Sequence, residues 1–383
     1  MVAPPASTTT RVDRIVSLDA LRGFNFVWIL GGEGVVLALA DILDDRNDTL
    51  DTVAAVLRRQ ITHAQWEGFY FYDFVFPLFI FITGVATALS VPRLIERRGL
   101  LRAHLRILAR SVVLYVLGVA YYGGISPHWS EIRYLGVLQR IAICYFVAAT
   151  LTMHMRWRGI VAITAALLIG YWALMTFVPV PGIGAGSFGP DANLANWIDL
   201  HHLPGRLWDG TRDPEGLLST LPAIASCLLG VLAGQLLMNP VVRQERKVVF
   251  LAAAGAVLVI AGHAWAVQFP IVKAIWTSSF VLVAAGYSAI LLAAFYLLID
   301  VWGYRRWATV FVWIGANAIT LYLLNNVMSL ERIAVRFVGG DFGAWLDDVL
   351  ADGSGRLLAH GLSLGLAIAI AGFLYKRKIF LRV

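Results

Sequence analysis

Ten long apolar stretches alternate with shorter polar segments along this 383-residue chain. A helix needs about 20 mostly apolar residues to cross the hydrocarbon core of a bilayer, and each stretch is close to that length. The pattern therefore predicts an all-α, polytopic membrane protein with about ten transmembrane helices. The predicted spans lie near residues 15–40, 69–91, 107–124, 134–153, 159–178, 217–238, 248–269, 274–299, 308–329 and 357–375.

The amino-acid composition indicates the same class of protein. Hydrophobic residues make up 59% of the chain and charged residues 14%, whereas soluble domains carry roughly 25% charged residues. Because the spans use nearly the whole length, we expect one transmembrane domain over residues 14–383 and a disordered cytoplasmic tail at residues 1–13. Cys144 and Cys227 both fall inside apolar stretches, so neither a disulfide nor a metal site is predicted.

Basic residues concentrate in every second loop, and this bias sets the predicted orientation. Loops rich in Lys and Arg stay in the cytoplasm, so we expect both termini to be cytoplasmic. The formal net charge of +7 is then a topology signal and gives no reason to expect nucleic acid binding. The most basic loop, PRLIERRGLLRAHLRILAR at residues 92–110, could contact lipid headgroups or bind an anionic cofactor from the cytoplasm.

Three loops on the opposite side of the membrane are long. Residues 41–68 combine an acidic patch with a helix-periodic stretch at residues 53–57. Residues 179–216 mix aromatic residues with Asp, Asn and His, a composition that suits carbohydrate binding and equally suits a loop that covers helix ends. Residues 330–356 form the third loop. The acidic patch consists of Asp41, Asp44, Asp45, Asp48 and Asp51.

The segment HAQWEGFYFYDFVFPLFIFITG carries the most informative polar residues. His63 precedes its apolar run and Asp73 lies within the run. A charge inside a membrane costs about 2.5–3.5 kcal/mol on insertion scales, so such a residue is a candidate for function. A continuous helix would separate the two residues by about 15 Å, so they meet only if the chain bends back, which Gly68 permits. Glu33, near the outer end of the first span, lies at the level of His63.

Other polar residues of the spans have more than one interpretation. Asp19 and Arg22 are three residues apart on one helix face and can form a structural pair. Arg140 is only about 9 Å deep on ideal helix rise, where it could pair with Asp73 or Glu33 or line a cofactor channel. The ninth span carries three asparagines, and interhelical hydrogen bonds alone explain one or two of them.

Six sequence blocks follow one another over most of the chain. They are RIVSLDALRGF, HAQWEGFYFYDFVFPLFIFITGVA, RYLGVLQRIAICYF, DPEGLLSTLPAI, PIVKAIWTSSFVL and GANAITLYLLNNV. From Arg14 to about Val327 the series resembles the heparan-α-glucosaminide N-acetyltransferase family and its bacterial relatives, which are transmembrane acyltransferases. The resemblance implies one transmembrane acyltransferase domain over residues 14–383, in a bacterial inner membrane. It also implies that acetyl-CoA is taken from the cytoplasm and that its acetyl group reaches an amino sugar on the far side.

The resemblance further implies roles for single residues. The histidine of the family's H-x-x-W-x-G block is here His63, either as a general base or as an acetyl carrier. A carboxylate would orient this histidine, with Glu33 as the first candidate and Asp73 as the second. The expected acetyl-CoA-binding residues are Arg22, Arg140, Gln139 and Arg106. The expected sugar-binding residues are Trp66, Asp213, Glu215 and Asn326.

Two departures from the family leave the acceptor open. Glu33 stands where animal members carry Asn, and Asn325-Asn326 stands where they carry a His-Glu pair. Glucosamine, a chitin fragment and a cell-wall saccharide are all consistent with the sequence, and the oligomeric state, a homodimer included, is open as well.

Two alternative functions also stay open. One is a polysaccharide O-acetyltransferase, which would use hydroxyl acceptors. The other is a saccharide or proton-coupled transporter with a relay through Asp73, Glu33 and Arg140. Transporters usually contain internal repeats, and none of the six blocks recurs.

Overall fold

The computed structural model describes residues 15–44, 46–124 and 128–381. The predicted tail at residues 1–13 and Asp45 of the acidic patch lie outside the described residues. Within them the chain is all-α, and β-type pairing is confined to isolated bridges. The helices are α1 (Val16–Val27), α2 (Glu33–Leu43), α3 (Asp48–Ile61), α4 (Phe71–Arg98), α5 (Leu100–Tyr121), α6 (Val137–His154), α7 (Trp157–Phe177), α8 (Leu194–His202), α9 (Thr220–Met238), α10 (Gln244–Ala266), α11 (Ser278–Tyr296), α12 (Thr309–Ala316), α13 (Ala318–Met328), α14 (Leu330–Val338), α15 (Asp341–Val349) and α16 (Ser354–Lys376).

Among the described residues, nine helical segments are long and apolar enough to cross a membrane. The ninth predicted span, near residues 308–329, is a bent pair, because α12 and α13 meet at an angle of 74°. The prediction of an all-α polytopic membrane protein with about ten spans is therefore confirmed. The nine segments are Val16–Leu43, Phe71–Arg98, Leu100–Tyr121, Val137–His154, Trp157–Phe177, Thr220–Met238, Gln244–Ala266, Ser278–Val301 and Ser354–Lys376.

The third span differs most from its predicted bounds. It was expected at residues 107–124 and is the helix Leu100–Tyr121. Its first two turns contain Arg102 and Arg106, which lower the local hydropathy without preventing helix formation. Long arginine side chains can bury their stems and keep the charge in water, so a helix can extend past the apolar stretch.

The interior of the bundle is built around α4, α9 and α11. Most of the residues of these three helices are buried. α4 and α9 approach closely because small residues face each other: a Cβ added at Gly84 would collide with the main-chain oxygen of Cys227. Without a strong hydrophobic driving force in lipid, such backbone approach is a main source of helix association. The close α4–α9 contact fixes the helix that carries Asp73.

Successive spans alternate in direction, so the polar loops fall into two groups. Residues 62–70, 122–124, 128–136, 178–219, 267–277 and 329–353 share the end of the bundle that holds His63, here called the His63 side. The opposite end, with the loop between α4 and α5, is the Arg106 side. On the His63 side, the helix-periodic stretch 53–57 lies in α3, as the pattern predicts. Loop 179–216 forms α8 and packs Val180 and Leu194 onto the helix ends.

Candidate active site

His63 and Asp73 meet because the chain reverses between α3 and α4. α3 ends at Ile61, and Gly68 adopts a φ of +133°, a backbone conformation that favours glycine. The reversal brings His63 Nδ1 to 2.8 Å from Asp73 Oδ1. A carboxylate only accepts hydrogen bonds, so Nδ1–H is the donor and Nε2 keeps its lone pair. The bend that the sequence required for this contact is therefore present.

Main-chain groups hold the Asp73 carboxylate in place at the start of α4. Its Oδ2 accepts hydrogen bonds from the backbone N–H groups of Tyr70 at 3.1 Å and Ala64 at 3.2 Å. Asp73 is fully buried, whereas about half of the His63 side chain is exposed. A buried acceptor with fixed donors orients an imidazole that can still reach a ligand.

Lys273 is the functional candidate that sequence reasoning missed. Its Nζ lies 2.9 Å from His63 Nδ1, 3.1 Å from His63 Nε2 and 3.5 Å from Asp73 Oδ1. Burial lowers the pKa of Lys273, although Asp73 and Glu215 act in the opposite direction. The sequence feature that could have identified Lys273 is its place in the block PIVKAIW, in a loop on the side of the bundle that is otherwise rich in acidic residues.

Glu33, the first candidate for orienting the histidine, does not contact His63. Its carboxylate accepts a hydrogen bond from the Tyr72 hydroxyl. The Tyr72 ring packs on the His63 ring, with centroids 4.8 Å apart. The order of the two carboxylates is thus reversed by the structure, because Asp73 binds the imidazole directly and Glu33 reaches it only through Tyr72.

A cavity of about 1200 Å³ connects this cluster with the Arg106 side of the bundle. It follows one face of α4, and ideal helix rise places Tyr72 and Ser90 about 27 Å apart, close to the hydrocarbon thickness of roughly 30 Å. The far end is lined by Arg22, Arg106 and Arg110. The α4 residues in the wall are Tyr72, Asp73, Val75, Phe76, Phe79, Thr83, Ala86, Thr87 and Ser90.

An ion-pair cluster forms the wall of the cavity beside Lys273. Arg133 Nη2 donates to Glu215 Oε2 at 2.6 Å and to Asp213 Oδ1 at 3.1 Å. Its guanidinium lies 4.3 Å from the ring centroids of both Tyr122 and Trp208. Burial acts to lower the pKa of Arg133, but Glu215 and Asp213 raise it above the usual value. The arrangement fixes the Glu215 carboxylate at the cavity surface.

Of the residues proposed from the sequence, six line the cavity and five do not. The six are His63, Asp73, Arg22, Arg106, Trp66 and Glu215. The five outside the lining are Glu33, Arg140, Gln139, Asp213 and Asn326. Asp213 accepts hydrogen bonds from Arg133 and from the backbone N–H groups of Trp208 and Glu215. It therefore helps to fix the position of Glu215 without lining the cavity itself.

The remaining residues outside the cavity hold parts of the fold together. Arg140 is fully buried and pairs with neither Asp73 nor Glu33, because its Nη2 donates to Gly216 O at 3.2 Å and to Ser219 Oγ at 2.5 Å. Gln139 donates from Nε2 to the main-chain oxygen of Arg133 at 3.3 Å, and Asn326 donates from Nδ2 to that of Tyr121 at 2.9 Å. These side chains stabilise the loops around the cavity and do not face it.

Comparisons with known proteins find related sequences over most of the chain. The family model described as "Heparan-alpha-glucosaminide N-acetyltransferase, catalytic" matches residues 14–267, about two thirds of the chain. The heparan-alpha-glucosaminide N-acetyltransferase of Mus musculus is 26% identical over 385 residues, which cover 84% of this chain and 56% of the relative. The Homo sapiens protein of the same name is 27% identical over 382 residues, covering 84% and 55%.

The chain spans about half the length of the curated relatives that it matches. The matched part contains His63, Asp73 and all of α4, and so includes most but not all of the residues that line the cavity. Lys273 lies beyond residue 267. This chain belongs to the heparan-alpha-glucosaminide N-acetyltransferase catalytic family.

Proposed function

We propose that this protein transfers an acetyl group from acetyl-CoA to the amine of an amino sugar across the membrane. One observation carries the proposal: a single cavity joins an imidazole–carboxylate pair to an arginine-lined opening along the length of α4. Membership of an N-acetyltransferase family supports the reaction class. The acetyl donor from one side of the membrane and the acceptor from the other would then meet at His63.

The arginine-lined end suits the phosphates of acetyl-CoA. Arg22, Arg106 and Arg110 lie there, and arginine binds phosphate through charge-assisted, often bidentate hydrogen bonds. An acyl-CoA carries its phosphates at one end and its thioester at the other. An elongated cavity with cations at one end and a base at the other therefore matches the polarity of the donor.

His63 is placed to take a proton from the attacking amine. Because Nδ1–H is engaged by Asp73, Nε2 is the basic nitrogen. The amine nitrogen forms a bond to the thioester carbonyl carbon, Nε2 accepts the amine proton, and the C–S bond breaks as CoA thiolate leaves. In the covalent route Nε2 attacks the thioester carbonyl carbon first, the C–S bond breaks as CoA thiolate leaves, and an acetyl-imidazole remains. The amine then attacks the acetyl carbon, the bond from that carbon to Nε2 breaks, and the freed Nε2 takes the amine proton. Both routes need the same tautomer.

The acceptor would bind near the Glu215 carboxylate and the Trp66 indole. Both side chains line the cavity on the His63 side. A carboxylate can hold an ammonium or hydroxyl groups, and an aromatic face can stack on a sugar ring. The charge bias of the loops supports placing the Arg106 side and both termini in the cytoplasm. In a bacterial inner membrane the acceptor would then be periplasmic, and the domain would extend from residue 14 to residue 383.

The proposal can be tested with purified protein in proteoliposomes. Radiolabelled acetyl-CoA is offered on one face and glucosamine on the other, with wild type, His63→Ala and the control His201→Ala. His201 lies on α8 on the same side but outside the cavity. We expect labelled N-acetylglucosamine from wild type and His201→Ala, and a rate at background from His63→Ala.

Other outcomes separate the alternatives. Label transferred to hydroxyl sugars and not to glucosamine would replace the amine acceptor with an O-acetyl acceptor. Equal rates for wild type and His63→Ala would refute the role of His63. If acetyl-CoA does not bind while a saccharide crosses the vesicle membrane, the transporter alternative replaces acyl transfer.

A further inference from the structure

Lys273 is held rigidly beside His63 by a tight turn. The turn is joined to the loop before α4 because Gly68 N–H donates to Ile271 O at 2.9 Å. Within the turn, Val272 N–H donates to Thr277 Oγ1 at 3.1 Å, and Thr277 N–H donates back to Val272 O at 3.2 Å. These hydrogen bonds fix the Lys273 backbone relative to the His63 loop. A side chain placed this way is preorganised for the site.

The ammonium of Lys273 is the cation best placed to meet a ligand at His63. Arg133 also lines this part of the cavity, but its guanidinium is engaged by two carboxylates at 2.6 Å and 3.1 Å. Arg212 is paired with Asp209 at 3.1 Å. Lys273 shares Asp73 Oδ1 with the imidazole and stays 3.5 Å from it. The Lys273 ammonium has three N–H donors. The contact with Asp73 uses at most one of them, so others can point into the cavity.

We propose that Lys273 is a catalytic residue whose ammonium stabilises the oxyanion that forms when the acceptor attacks the thioester. The inference rests on the acyl transfer proposed above. As the amine nitrogen bonds to the carbonyl carbon, the C=O electron pair moves to oxygen, and His63 Nε2 takes the amine proton. When the pair returns, the C–S bond breaks and the CoA thiolate leaves, receiving the proton from the imidazolium.

The geometry lets one tetrahedral intermediate contact both the His63 imidazole and the Lys273 ammonium. Nε2 and Nζ are 3.1 Å apart, so an attacking nitrogen at the imidazole places the carbonyl oxygen within reach of the ammonium. Without ligand, Nζ lies beside the imidazole, 2.9 Å from Nδ1 and 3.1 Å from Nε2. The entering acyl group replaces this contact, and the ammonium turns to the oxygen. Its lowered pKa makes it a stronger hydrogen-bond donor to the negative oxygen than an exposed lysine.

The test compares Lys273→Met and Lys273→Arg with a matched control, Lys247→Met. Lys247 is also buried, donates to Leu237 O at 2.6 Å and does not line the cavity. For Lys273→Met we expect kcat to fall roughly 10²–10³-fold, as for loss of one oxyanion donor, with the Kd for acetyl-CoA within about twofold. Lys273→Arg should retain part of the activity, and Lys247→Met should keep the wild-type kcat.

Chemical rescue distinguishes a catalytic charge from a structural role. Lys273→Cys is alkylated with 2-bromoethylamine, which rebuilds an ammonium side chain of nearly the same length. Cys144 and Cys227 are fully buried, so the new cysteine is the accessible target. Recovery of kcat on alkylation supports the inference. An unchanged kcat in Lys273→Met, or a loss of activity that follows a loss of acetyl-CoA binding, would overturn it.

Release of CoA thiol with water as the acceptor separates the two proposals. The same oxyanion forms in hydrolysis, so Lys273→Met should slow hydrolysis by a similar factor. If wild type hydrolyses acetyl-CoA but does not acetylate glucosamine, the proposed acceptor is wrong and the inference is judged on hydrolysis alone. If wild type does neither, both proposals are refuted.

Discussion

Replacement of Asp73 by Asn tests whether the carboxylate sets the tautomer of His63. In Asp73→Asn the side-chain oxygen can occupy only one of the two carboxylate positions. The backbone N–H groups of Ala64 and Tyr70 point at Oδ2 and can only donate, so the oxygen stays with them. The new NH2 group then faces His63 Nδ1, 2.8 Å from the former Oδ1. The imidazole must accept at Nδ1, and its hydrogen moves to Nε2.

The size of the effect follows from the loss of the basic nitrogen. General base catalysis contributes roughly 10²–10⁴-fold to a rate, which is about 2.7–5.4 kcal/mol of activation free energy. We therefore expect kcat of Asp73→Asn to fall by about that factor. The free energy of unfolding should change far less, because both main-chain hydrogen bonds to the side chain are kept, each worth about 1 kcal/mol.

The assay measures kcat for acetyl transfer and, separately, the Kd for acetyl-CoA. Glu33→Gln is the matched control, because Glu33 is the second intramembrane carboxylate near His63 but contacts Tyr72 instead. We expect Glu33→Gln to keep at least a third of the wild-type kcat. An Asp73→Asn protein with a kcat within threefold of wild type would refute the tautomer argument, as would a Glu33→Gln protein with the larger defect.

Three further predictions concern the donor site, pH and packing. Arg106→Ala should raise the KM for acetyl-CoA roughly tenfold with little change in kcat, since a phosphate contact is lost; an unchanged KM would place the phosphates elsewhere. Burial raises the pKa of Asp199 to about 7, well above its unfolded value, so thermal stability should fall as pH rises from about 4 to about 7. Asp199→Asn should flatten this dependence in thermal unfolding scans, and an unchanged slope would exclude Asp199 as its source. Gly84→Ala should destabilise the bundle by about 1–3 kcal/mol by overpacking, whereas Gly170→Ala, with open space around it, should unfold within a few degrees of wild type.

The class of protein and its spans could be read from the sequence because hydropathy is a local property. A helix that crosses a bilayer must be about 20 residues long and satisfies its own backbone hydrogen bonds. Each span can therefore be predicted from its own residues alone. Among the described residues, nine helical segments and one bent pair correspond to the ten predicted spans. The bend between α12 and α13 was not predicted, since no proline marks it.

Single candidate residues were also accessible from sequence, but only one at a time. The cost of placing a charge in hydrocarbon singles out Asp73 whatever its partner is, and the family blocks single out His63. The same argument selected Arg140 and Glu33 with equal force. Neither residue lines the cavity in the structure. The cost of burying a charge shows that a residue must have a partner, but it does not show which groups that partner comes from.

Only the tertiary structure decided which groups meet. The choice of Asp73 over Glu33 depends on the reversal at Gly68, which turns an expected separation of about 15 Å into a contact of 2.8 Å. Lys273 is 210 residues from His63 in sequence and reaches it through hydrogen bonds between two loops. Such contacts depend on how helices pack and on which backbone groups of two loops form hydrogen bonds. No local pattern of hydrophobic and polar residues determines which loops meet in this way.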